Sequence, residues 1–199
     1  MEQPRLTEVA GPDLGPWVDA LGALRIEVFR EYPYLYEGDL EYERRYLSVY
    51  LGCPRARIVL VQDDGGRLVG ATTCLPLSDE DAAFREPFAQ VGHDPADWLY
   101  LGESLLLPAW RGRGLGKLFF DRREAHAAWL GLGRTTFCAV ARPDSHPLRP
   151  ASYRPLRPFW ESRGYAEQAT LQATYRWKDI GETDETPKAL TFWTKTWTA

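Results

Sequence analysis

The sequence is short of the residues that mark several functional classes. It holds three cysteines and three histidines in 199 residues. Cys53, Cys74 and Cys138 are odd in number and widely spaced, with no C-x-x-C pair and no histidine at ligand spacing. That pattern argues against a disulfide framework and against a zinc site, so the three read as buried thiols. No run approaches the ~20 apolar residues of a membrane helix, and MEQPRLTEVAGP has no apolar stretch of the secretory kind. A cytoplasmic location without a membrane partner is expected. Positive charge is not in excess either: 24 Lys and Arg stand against 28 Asp and Glu, a formal net charge of -4. Nucleic acid is therefore not an expected partner. No internal repeat and no dividing linker is visible, so residues 1–199 are expected to form one domain.

What is there is a change of hydrophobic period along the chain. Residues 5–9 alternate like a short strand. Trp17, Leu21, Leu24, Val28 and Phe29 then recur at helical spacing over residues 17–30. EYPYLYEGD breaks that helix at Pro33 and Gly38, and Asp39 is placed to cap a second one, with Leu40, Arg44, Leu47 and Leu51 as its stripe. RIVLVQ and RLVGATTCL, joined by DDGG, predict a hairpin. Residues 78–97 read as loop with a short helix over 84–90, followed by the strand WLYLGESLLL. A helix to about residue 129, the strand TTFCAVA, a proline-rich loop over 142–158 and a short helix around Trp160 come next. Two late strands are expected over 170–177 and 190–197. The order is β-α-α-β-β-β-α-β-α-β-β, a mixed α/β layer with seven strands.

The most informative stretch is LLLPAWRGRGLGKLFF. Gly112, Gly114 and Gly116 occupy alternate positions where a strand gives way to a helix. Such a turn aims free backbone amides at one spot, with the positive end of the helix dipole behind them. Glycine removes the Cβ atoms that would keep a phosphate oxygen away, and Arg111, Arg113 and Lys117 add positive charge. The guest this favours is a phosphate or pyrophosphate; the plainer alternative is a glycine turn that only joins two elements. A Walker loop is ruled out because Leu118 stands where Ser or Thr is needed after Lys117. The spacing G-x-G-x-G is also not the G-x-G-x-x-G of a dinucleotide fold.

Arg111-Gly112-Arg113-Gly114-Leu115-Gly116 resembles the Q/R-x-x-G-x-G/A signature of the GNAT superfamily of acyl-CoA-dependent N-acyltransferases. PFWESRGY, residues 158–165, is similar to that family's second landmark. The resemblance implies a GNAT fold: a mixed seven-stranded sheet with flanking helices, whose parallel fourth and fifth strands, near residues 99–107 and 135–141, splay apart. It implies that the pantetheine arm of coenzyme A lies in the gap against the backbone of Leu105, Leu106 and Leu107. The amides of Arg111, Gly112, Arg113, Gly114, Leu115, Gly116 and Lys117 would hold the pyrophosphate. Acetyl-CoA is then the expected cosubstrate, and no metal is required.

The activity implied is acetyl transfer to an amine, which must lose a proton before it can attack. Glu103 interrupts an apolar strand and is the first candidate base; a structurally partnered Glu is the alternative. His146, in the loop after the fifth strand, is the second. Family members often protonate the departing thiolate with a tyrosine at the position of Trp160, whose indole cannot give up its proton. Tyr153 is the expected substitute, while Tyr165 reads as core packing. For the acceptor, Tyr32, Tyr34 and Tyr36, flanked by Glu31, Glu37 and Asp39, suit a cationic small-molecule amine or are simply a packed turn. Arg149, Arg154 and Arg157 would suit an acceptor carboxylate or the CoA 3′-phosphate. Trp177, Trp193 and Trp197 suggest core packing, with an aromatic wall or a homodimer surface as alternatives. A non-catalytic acyl-CoA-binding or sensing module is the competing function.

Overall fold

The computed structural model describes residues 3–197. Within them, β1 (Arg5–Ala10) leads through a 3-10 stretch into α1 (Val18–Phe29), and α2 (Leu40–Leu51) follows. Asp39 caps α2 as expected, its Oδ1 accepting from the Tyr42 amide at 2.9 Å. The stripe that α2 buries differs from the expected one: it is Glu43, Leu47 and Tyr50, while Arg44 faces solvent and holds Asp19. The physical reason is that Glu43 has partners on other elements, so a charged side chain occupies a core position.

β2 (Arg57–Gln62) and β3 (Leu68–Pro76) form the expected antiparallel hairpin. Gly66 takes a positive φ of 82° in its turn, a backbone shape that glycine adopts without strain. The segment after β3 carries the expected short helix, α3 (Ala82–Gln90). β4 (Leu99–Leu106), α4 (Leu115–Trp129), β5 (Arg134–Val140), α5 (Arg157–Ser162), β6 (Ala166–Trp177) and β7 (Thr186–Thr196) complete the chain. β6 and β7 are longer than the apolar pattern indicated. Their outer ends, such as Ala166–Gln168 and Pro187–Ala189, pair through the backbone with few apolar side chains, and a bulge between Gln168 and Gln172 breaks the alternation.

The seven strands run in the order β1-β2-β3-β4-β5-β7-β6 in a single sheet. Every neighbouring pair is antiparallel except β4 and β5. That parallel pair is in register only at Leu99–Thr135 and Tyr100–Thr136; beyond it the strands part, as the resemblance implied. A bulge causes the divergence: Thr73 of β3 faces both Gly102 and Glu103 of β4, and an extra residue on one strand bends it and sharpens its twist. Thr72 Oγ1 and Arg123 Nη1 donate to the Glu103 carbonyl, at 2.5 and 3.3 Å, and pin the bulge.

Gly102 is required there. A Cβ at that position would lie 2.1 Å from Tyr50 Oη and 2.6 Å from Thr73 Oγ1. Gly102→Ala is therefore expected to lower stability by about 1–3 kcal/mol, measured by urea unfolding, because a packed site has no room to yield. Tyr100 and Gly102 face the side of the sheet covered by α1 and α2. Leu99 and Leu101 face the other side and pack with Phe120 and Ala127 of α4. The gap between β4 and β5 thus opens to both faces.

Candidate active site

On the α4 side of the gap lies the glycine turn. Gly112 and Gly114 have φ values of 73° and 83°, and a Cβ at either would meet no atom within 4 Å. These glycines are needed for backbone shape, and the space in front of them is open. Gly114 is the N-cap of α4, and no side chain caps the helix, so its first-turn amides keep their hydrogen-bonding capacity for a ligand. Arg111, Arg113 and Lys117 are all exposed around this turn. Open glycine backbone, an uncapped helix start and three cations fit a diphosphate such as that of coenzyme A.

Of the three leucines expected along pantetheine, Leu106 is the one whose backbone groups turn to the gap. The Leu107 amide donates to Val69 of β3 at 3.0 Å. Backbone groups alternate along a strand, so those of Leu105 and Leu107 serve β3 and those of Leu106 turn to the gap. The Leu106 carbonyl accepts from Arg111 Nε at 3.0 Å, while Arg111 Nη1 pairs with Glu31 at 2.8 Å. Arg111 thus bridges the α1–α2 loop and the end of β4.

On the other face is a partly open cavity between α1, α2, the splayed strands and β6, with about 580 Å³ of unfilled space when the solvent at its mouth is counted. Glu103 lines it and is only 6% exposed. Its Oε2 pairs with Arg25 Nη1 and accepts from Tyr46 Oη at 3.2 Å; its Oε1 is buried without a partner. Arg25 also pairs through Nε with Glu43 Oε2, and Tyr36 Oη donates to Glu43 Oε1 at 2.8 Å. Burial opposes the charge on Arg25, but Glu103, Tyr46 and Glu43 outweigh it and raise its pKa well above the ordinary value. Its guanidinium stacks 3.8 Å from the Tyr46 ring centroid. Burial, followed by the Glu103 charge, raises the pKa of Tyr46, so this phenol is a fixed donor. Cys138 also lines the cavity, and burial pushes its thiol up to about 12, which leaves it inert as a nucleophile.

The other candidates divide into two groups. Tyr34 and Tyr36 line the cavity; Tyr32 does not, and meets Tyr153 edge-on at 4.7 Å and His146 at 5.8 Å. His146 Nδ1 accepts from the Leu148 amide at 3.2 Å. The structure therefore joins Tyr32, His146 and Tyr153 in one aromatic cluster, separate from the residues lining the cavity around Glu103. Tyr165 is core packing as expected, buried with its hydroxyl 2.8 Å from Thr135 Oγ1. Trp160 packs on Phe137 and Trp193, and Trp177 lines the cavity. Buried Trp177 and Trp193 are thus an aromatic wall and a core residue, and neither offers an exposed surface. Arg149 pairs with Asp144, and Arg157 with Glu161 and Glu167, so both arginines already have partners. Sequence reasoning missed Arg25, Glu43 and Tyr46. A signal existed for Arg25, which sits at helical spacing from Leu21, Leu24 and Val28 and so falls on the buried face.

A splayed parallel strand pair, backed by a glycine turn at an uncapped helix and opening onto a carboxylate-bearing cavity, defines an acyl-CoA-dependent transferase fold. The family described as acetyltransferase (GNAT) matches residues 23–150. The chain belongs to this family, whose members use acetyl-CoA. No curated protein matches it. Among solved structures it is similar to an acetyltransferase from Thermus thermophilus (19% identity, 99% of this chain and 100% of that one, TM-score 0.58). It is also similar to an N-acetyltransferase from Staphylococcus aureus (12%, 98% of each chain, 0.61). A third neighbour is yncA from Salmonella typhimurium, solved with its cofactor acetyl-CoA (12%, 99% and 95%, 0.60). At these identities the likeness is one of fold. No helix of the described residues is long and apolar enough to cross a membrane. Among the same residues, no group of three or more His, Cys, Asp or Glu side chains is arranged to hold a metal ion.

Proposed function

We propose that this protein transfers the acetyl group of acetyl-CoA to the amine of a small molecule by direct attack, with Glu103 receiving the amine's proton. Bound acetyl-CoA supplies the activated thioester; the chain does the rest. The amides of Gly112 to Lys117 and the side chains of Arg111, Arg113 and Lys117 bind the diphosphate. Leu106 offers its backbone to the pantetheine arm. Glu103 holds the acceptor nitrogen and takes its proton at Oε1.

The observation that carries this reading is the asymmetry of Glu103. Arg25 and Tyr46 fix Oε2, which leaves Oε1 as a buried acceptor with nothing to accept from, on a side chain that lines the cavity beside the splay. A buried carboxylate oxygen without a donor is costly, and an amine proton satisfies it. The proton for the departing thiolate is assigned to Tyr153. Burial, then the neighbouring Tyr32, raises its pKa, so the phenol holds its proton at neutral pH. Cytoplasmic action belongs to this reading.

Glu103→Gln keeps the shape but removes the base. It is expected to cut kcat about a hundredfold, with acetyl-CoA affinity unchanged by calorimetry. An unchanged kcat would move the base elsewhere. Arg111→Ala is expected to weaken acetyl-CoA binding about tenfold, through loss of a charge-assisted contact to phosphate. A sensing module would instead show acetyl-CoA binding without thiol release under any acceptor.

A further inference from the structure

We infer that the acceptor is a lipophilic monoamine without an acid group, a single ammonium carried on an aryl or alkyl body. The inference rests on the acetyl-transfer reading above and assigns the substrate class of the same cavity.

Charge balance is the first support. Arg25 is one cation set between two carboxylates, Glu43 and Glu103, all three at most 6% exposed. The buried cluster is one positive charge short of neutrality, and an ammonium at Glu103 Oε1 closes the deficit. Both oxygens of Glu43 are engaged, so the cluster offers one ammonium site and no second. Glu80, the other buried carboxyl nearby, favours its protonated form at neutral pH and so works against a third anion. Burial, then the Glu103 charge, pushes it up to about 8.

The walls are the second support. Among the described residues, nine aromatic side chains line the cavity, including Tyr42, Tyr46, Phe84, Tyr175 and Trp177. Ring faces attract a cation and at the same time desolvate an apolar body. A cavity lined by rings with a few placed polar groups is of the kind that takes a small organic molecule.

The third support is what the lining lacks. Arg25 is the single Lys, Arg or His among the described lining residues, and both its ion pairs are made within the protein. An acceptor carboxylate would enter with no cation to meet it, beside a net negative cluster. This counts against amino acids.

Peptide acceptors are disfavoured by the cavity's roof. The α1–α2 loop is laced to the β6–β7 hairpin by backbone bonds from Glu37 N to Lys178 O at 2.8 Å and from Ile180 N to Leu35 O at 2.7 Å. Arg142 adds to the lacing, donating to the carbonyls of Pro33 and Tyr34 and pairing with Asp179 at 2.8 Å. An extended chain lying between loop and hairpin would have to break this lacing.

The test uses the unaltered protein and four amines: 2-phenylethylamine, L-phenylalanine, spermidine and a trialanine peptide. Thiol release from acetyl-CoA gives kcat/KM for each, and calorimetry on the CoA-loaded protein gives binding without chemistry. The expected result is a kcat/KM for 2-phenylethylamine at least a hundredfold above the other three. Turnover of phenylalanine, spermidine or the peptide at a comparable or higher rate would overturn the inference while leaving acetyl transfer intact. Heat from 2-phenylethylamine alone, with no thiol released, would uphold the substrate class and overturn the transfer reading. Absence of both heat and turnover with 2-phenylethylamine would overturn the inference.

Discussion

Replacing Arg25 with methionine is expected to destabilise the protein by about 3–5 kcal/mol, the usual cost of removing one partner from a buried ion pair. The side chain lost is apolar along most of its length, and methionine fills much of that volume. The cost therefore comes from what remains: Glu43, fully buried, and Glu103, both without the cation that faces them. Tyr36 and Tyr46 each still donate one hydrogen bond, which is too little to offset two desolvated charges. Urea unfolding of the parent and variant measures the difference. A second substitution sharpens the test, because Arg25→Met combined with Glu43→Gln removes one orphaned charge and is expected to recover part of the loss. If Arg25→Met moved the stability by less than about half a kcal/mol, the cluster would not be a desolvated one and the charge argument for an ammonium guest would fall with it.

The parts of the fold that the sequence made legible are those set locally. Asp39 caps a helix through a bond three residues away, and DDGG turns a hairpin between strands of obvious period. Gly112 and Gly114 take the left-handed backbone that their spacing implied. Glu103 was legible because a carboxylate in an apolar strand has few ordinary explanations. The charge cluster around it was not, since its other members come from α1 and α2, far from β4 in the chain, and nothing local pairs Arg25 with Glu43 and Glu103. The same gap explains the misread stripe of α2, expected at Leu40, Arg44, Leu47 and Leu51, of which Leu47 alone is buried. A buried Glu43 makes sense only once Arg25 is placed opposite. Gly102 carried a usable signal, because an isolated glycine inside a strand pattern often marks a bulge. How far β4 and β5 diverge beyond Tyr100 depends on that bulge, and so on tertiary register that no single stretch encodes.

Stability is expected to fall as pH rises between about 4.5 and about 8, and Glu80 is expected to be the cause. This side chain lies in the turn between β3 and α3, 5% exposed, with Oε2 lacking a hydrogen-bond partner. Burial, then the charges of Glu103 and Asp81, raises its pKa from 4.5 to about 8. Below 4.5 the carboxyl is protonated in folded and unfolded chains alike, and its contribution is fully present. Between the two values the unfolded chain is ionised while the folded one keeps its proton. Folding then takes up a proton, and each pH unit removes roughly 1.4 kcal/mol. Above about 8 both forms are ionised and the loss, several kcal/mol in all, is complete. Glu80→Gln cannot ionise and preserves the shape, so its stability should lack this component. Urea unfolding of parent and variant at pH 5, 6.5 and 8 isolates it, because every other titrating group cancels in the difference. The variant should gain on the parent as the pH rises and surpass it by pH 8. A difference constant across the three pH values would mean that Glu80 is already ionised in the folded protein. Glu80 would then be a third buried anion beside Glu43 and Glu103, and the count of charges that favours a single ammonium would have to be redrawn with it.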